Sequence, residues 1–106
     1  MTLALAYAGA DEAKAARKLV NLILGRGWVV SVNDGDEWVL QLSGDRQAIL
    51  KALCSTGQDQ LVLRDEAGFK VGWMQLVWGN SGEELVCDHS DNDALSALWN
   101  EWQAQL

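Results

Sequence analysis

The sequence predicts an α+β domain in two layers, an antiparallel sheet of about five strands with three helices, in the order α-β-β-α-β-β-β-α. Three observations carry that expectation. Helix-spaced apolar stripes follow capping residues near Asp11, Asp45 and Asn92, while short runs rich in Val, Leu and Trp lie between them. Gly-containing turns join most of these runs. A helix interrupts just one strand junction, where a parallel sheet would need a crossover at each.

The first helix begins with Asp11 as its cap and carries Ala13, Ala16, Leu19, Val20, Ile23 and Leu24 on one stripe, with Lys14, Arg17, Lys18 and Asn21 outside. Gly25 and Gly27 end it. Residues 2–8 either extend this helix or form a short strand, since Leu3, Leu5 and Tyr7 alternate.

The first hairpin is expected to close through a three-residue loop, Asn33-Asp34-Gly35, with Gly35 left-handed. That register pairs Val30 with Trp38 and Trp28 with Leu40, which gathers the large apolar groups on one side. A second helix capped by Ser43 or Asp45 follows, with Ile49, Leu50, Leu53 and Cys54 inward and its end near Gly57.

The next turn, Glu66-Ala67-Gly68, sets Leu63 opposite Val71, Leu61 opposite Trp73 and Arg64 opposite Lys70. By the same rule Asn80-Ser81-Gly82 pairs Val77 with Leu85 and Gln75 with Cys87. The expected core face is therefore Leu61, Leu63, Val71, Trp73, Val77, Leu85 and Cys87, with Gln75 its polar member. Met74, Leu76, Trp78 and Val86 then point outward, and either a helix or a partner covers them. They are the candidate interface. A last helix, capped by Ser90, Asp91 or Asn92, carries the stripe Leu95, Leu98, Trp99, Trp102 and Leu106.

At 106 residues without proline the chain fits one domain, and its six tryptophans are core by default. Fifteen acids against eight bases give a net charge of −7, and the bases do not cluster, so nucleic-acid binding is disfavoured. Cys54 and Cys87 offer neither a zinc motif nor a dithiol motif, and free thiols in a reducing cytoplasm are expected. No apolar run is long enough to span a membrane. Ala6-x-Ala8 imitates a leader cleavage site, but the basic start of a signal peptide is missing, so a soluble cytoplasmic protein is expected.

Asp88-His89-Ser90-Asp91-Asn92-Asp93 is the densest polar cluster and holds the single histidine. Asp88, His89 and Asp91 form a secondary candidate site for an ion or for acid-base work. The spacing does not fit an EF-hand, and adjacent Ser90, His89 and Asp91 cannot converge as a triad, so helix capping is the leading role. Asp36, Glu37, Glu83 and Glu84 would form a carboxylate pair if the two hairpins were neighbours. Gly25-Arg26-Gly27 precedes a strand, so it is no phosphate loop. Neither a cofactor nor a metal is expected.

Two stretches share a pattern of Gly-Trp, an apolar run, Asn-x-Gly, acids and an apolar pair, beginning at Gly27-Trp28 and at Gly72-Trp73. A ββα duplication or independent hairpin chemistry explains it. The stretch Gly72-Trp73 through Trp78-Gly79-Asn80, with Asp88-His89-Ser90-Asp91-Asn92, Asp34-Gly35-Asp36-Glu37-Trp38 and Arg64-Asp65, resembles a set of small bacterial and prophage-encoded proteins with no assigned activity. The resemblance spans residues 27–95 and implies a bacterial accessory protein, tied to a mobile element. The functional expectation is a non-enzymatic protein-binding or regulatory module, self-associating or holding a basic partner through an apolar sheet face. Its competitors are an acidic DNA mimic and a small enzyme built on the loop at Asp88.

Overall fold

The computed structural model describes residues 9–54, 56–79 and 82–106. Its elements are α1 (Ala10–Gly25), β1 (Val29–Asn33), β2 (Trp38–Ser43), α2 (Arg46–Ala52), β3 (Gln58–Arg64), β4 (Lys70–Val77), β5 (Val86–His89) and α3 (Asp93–Ala104), with a single 3-10 turn at Gly82–Glu84. The sheet is antiparallel throughout, in the order β2-β1-β3-β4-β5. This is the expected α+β architecture. The conformation of residues 2–8, left open by the sequence, lies outside the described residues, as do Asn80 and Ser81 of the third turn. Among the described residues, no helix is long and apolar enough to cross a membrane.

Alternation along β3 and β4 sorts the two faces. Leu61, Leu63, Met74 and Leu76 are fully buried with Val30 and Val32, and the stripes of all three helices pack onto them. The intervening positions Val62, Trp73, Gln75 and Val77 are half-buried. One face thus meets the helices, and the other has no element over it among the described residues.

This reverses the expected faces of β4. Arg64 does oppose Lys70, but a bulge at Val71 shifts the ladder by one residue, so Leu63 opposes Gly72, Val62 opposes Trp73 and Leu61 opposes Met74. In a period-two strand a one-residue slip exchanges the faces. Met74, Leu76, Trp78 and Val86, expected outside, are therefore core residues, whereas Trp73 and Val77 leave the core face, Cys87 is exposed, and Val71 in the bulge stays packed against the core as expected. Leu76 opposes Val86, as the expected register has it, and a second shift beyond that pair sets Gln75 opposite Asp88 in place of the expected Cys87. Leu85 is buried as expected, and its carbonyl accepts from Val77 N at 2.9 Å.

The first hairpin is also wider than expected. Asn33 opposes Trp38 and Val32 opposes Leu40, leaving Asp34 to Glu37 as the loop. The cause is side-chain capture of the turn: Asn33 Oδ1 accepts from Gly35 N, and Asp34 Oδ1 accepts from both Asp36 N and Glu37 N. Gly35 keeps the expected positive φ of 101°. Trp38 consequently sits outward, 47% exposed.

The helices depart less. Gly9, not Asp11, caps α1, and Glu12 reaches back to accept from Gly9 N at 3.3 Å. Asp45 caps α2 through Gln47 N, and all four expected inward residues of this segment are buried. Asn92 caps α3 through Leu95 N while its amide donates to Val71 O. Leu95, Leu98 and Trp102 are buried, but Leu106 lies past the helix and is exposed.

Candidate interaction face

The residues that hold the core also define what is left outside it. Asp59 alternates with Leu61 and Leu63 on β3, so its carboxylate is forced into the core, where it is fully buried. Oδ2 accepts from Trp78 Nε1 at 2.7 Å and from Cys54 N at 2.8 Å, while Oδ1 has no hydrogen-bond partner among the described residues. Glu12, also buried, accepts from Gly79 N at 2.9 Å and 3.1 Å. Two carboxylates thus anchor the end of β4. They explain why Trp78 turns inward.

Burial raises the Asp59 pKa above the usual carboxylate value, against the lowering effect of the Cys54 and Trp78 hydrogen bonds. A raised folded pKa stabilises the fold fully below the unfolded value of 3.8, and that contribution is lost as pH rises through the folded pKa. Asp59→Asn keeps an acceptor for both donors and removes the titration. Urea melts from about pH 4 to about pH 8 should show a decline in the wild type that is reduced in Asp59→Asn. Asp34 is opposite in sign. Its pKa is lowered by hydrogen bonds from the Glu37 and Asp36 amides, so its contribution is lost as pH falls.

The secondary polar site does not assemble. Asp88 and Asp91 are exposed, and His89 lies half-buried with its ring 5.4 Å from that of Trp99. His89 Nδ1 is 2.9 Å from Ser90 O, and Asp88 Oδ1 accepts from His89 N. Ser90 Oγ accepts from Trp73 N at 2.7 Å, so the loop ties β4 to the start of α3. Among the described residues, no group of three or more His, Cys, Asp or Glu is placed to hold a metal.

The open face has a different character. Its central rows run Ser31-Val62-Trp73 and Asn33-Gln60-Gln75, uncharged until Asp88 ends the second on β5, in a chain where 22% of residues are charged. A groove of about 530 Å³ crosses the β2 side, lined by Trp38, Leu42 and Val62 with Ser31, Gln41 and Arg64. Depletion of charge around aromatic and aliphatic anchors, with an arginine present, is the composition of protein interface cores. A scan against protein-family models and searches of curated proteins and of solved structures return no match for this chain.

Leu42 marks the groove as a strained place. It is 59% exposed yet has φ +51°, a left-handed backbone that costs a non-glycine residue roughly 1–2 kcal/mol. The Ser31 hydroxyl holds it there, accepting from Leu42 N at 2.9 Å. Leu42→Gly is expected to stabilise the chain by about 1 kcal/mol, a rise in Tm of roughly 4 °C, because little buried surface is lost. An unchanged or lower Tm by calorimetry would show that Leu42 carries no strain.

Sequence reasoning missed this face because it placed Trp73 and Val77 inside. The usable signal was Gln58-Asp59-Gln60: a glutamine on each side of Asp59 suits an open face, and the same parity sends Leu61 and Leu63 inward with Asp59.

Proposed function

We propose that this chain is a soluble, cytoplasmic protein-binding accessory module of a bacterial or prophage system, and that it works through the open face of its sheet. The observation that carries the proposal is the sheet face that no described element covers, poor in charge at its centre, with strained Leu42 beside Trp38 and Val62. Strain of this kind persists where surrounding structure enforces it, and it gathers at binding sites. The helices cover the other face, so apolar groups left here are free to anchor a partner.

The proposal is favoured over the DNA mimic because a mimic needs carboxylates in rows, and the central rows of this face carry one, Asp88 at the β5 edge. It is favoured over an enzyme at Asp88, His89 and Asp91 because those side chains do not converge. Incorporation of a benzophenone amino acid at Val62 and, as control, at Asn100 on the exposed side of α3 tests it in cells. The expected result is a covalent protein adduct at position 62 and none at position 100. Equal yields at the two positions would overturn the proposal.

A further inference from the structure

We propose that the molecule seated on the open face is a second copy of this chain, packed sheet on sheet about a two-fold axis perpendicular to the strands. This rests on the binding proposal above and narrows its partner. The 30 strand residues, each covering about 4.8 Å by 3.3 Å, give a face of roughly 480 Å² per copy. A pair buries roughly 950 Å², the size of a weak, transient contact.

Charge selects the arrangement. Two chains of net charge −7 repel each other unless they meet where acids are few, and the central rows, with Asp88 at the β5 edge as their one acid, are such a place. Arg64 and Lys70 stand opposite each other at one end of the face and offset the acids Asp65 and Glu66 of the turn beyond, while the turn with Asp34, Asp36 and Glu37 at the other end holds acids alone. An axis crossing the strands reverses one sheet end for end, so each Arg64 approaches the acidic turn of the other copy. The contact is made twice, as an isologous interface requires. An axis running along the strands would reverse the strand order and set the acidic turn against the β4–β5 end of the other copy, where Glu83 and Glu84 stand.

Edge pairing is a poorer route to a dimer. β5 has four residues and both outer strands are bulged, which blunts their free hydrogen-bonding edges. A basic partner is also disfavoured, because the central rows hold one acid, Asp88 at the β5 edge, and a cation lines the groove.

Sedimentation equilibrium of the purified full chain, from low micromolar to roughly 1 mM, tests the proposal. The expected mass rises with concentration toward twice 11.6 kDa, and Val62→Lys holds it at one chain without abolishing the cooperative melt. Arg64→Glu and Glu37→Arg should each weaken association about tenfold, and the double variant should recover most of the loss. A single-chain mass at all concentrations overturns the dimer; adducts of position 62 with a different protein would then leave the binding proposal standing, and their absence would remove both. A dimer indifferent to Val62→Lys overturns the face, and a charge swap without recovery overturns the two-fold arrangement.

Discussion

Trp78→Ala is expected to remove about 3–5 kcal/mol of stability, a large part of the roughly 5–15 kcal/mol that a domain of this size possesses. The indole is buried just past β4 among the core residues, and its removal leaves a void and takes one of two donors from the buried Asp59 carboxylate. Trp78→Phe separates the contributions. It keeps most of the volume and loses the 2.7 Å hydrogen bond, for an expected cost of about 1.5–3 kcal/mol. Chemical denaturation of both variants measures them, and a loss below about 1 kcal/mol for Trp78→Ala would mean the residue is not in the core.

Gly72→Ala is expected to cost about 1–3 kcal/mol by overpacking. A Cβ built there would lie 2.5 Å from Leu95 Cδ2 and 2.9 Å from Ser90 Oγ, and Leu95 is fully buried on α3 with little room to retreat. The same crowding predicts compensation. Leu95→Ala alone should cost about 2–5 kcal/mol, and the double variant should be more stable than the sum of the two losses by at least about 1 kcal/mol. Strict additivity in urea melts would show that the two residues do not touch.

The contrast between Gly72 and Gly27 bears on the repeated Gly-Trp pattern. Gly27 follows α1 with a positive φ of 79°, a backbone requirement, whereas Gly72 is needed for close approach of a helix. Their tryptophans differ as well: Trp28 lies under Arg26, whose guanidinium is 5.7 Å from the ring, and Trp73 lies on the open face. Similar letters serve different physical ends, which favours independent hairpin chemistry over duplication.

The helices were legible because their signals are local. A stripe such as Ile49, Leu50 and Leu53 needs no knowledge of the rest of the chain, and the caps of α2 and α3 fall among the two or three residues expected for each, although Gly9 replaces Asp11 at α1. Register was not legible, because it depends on bulges whose causes are remote. The bulge at Val71 permits Gly72 to meet Leu95, twenty-odd residues later, and the inward turn of Trp78 depends on Asp59 across the sheet. A three-residue turn rule applied from the tip outward could see neither. Met74, Leu76, Trp78 and Val86 are covered by the helices, one of the two covers expected for them, and not left as an interface, while a sheet face without a helix over it among the described residues lies one residue out of phase.

The claim on which everything else rests is therefore which face of β4 points to the helices, and neighbouring substitutions decide it. Circular dichroism melts of Met74→Lys and Trp73→Lys at low micromolar concentration should diverge: Met74→Lys loses its cooperative transition because it buries an unpaired ammonium, while Trp73→Lys melts cooperatively with a modest decrease in Tm. The opposite order, with Met74→Lys folded and Trp73→Lys unfolded, would contradict the register and with it the open face.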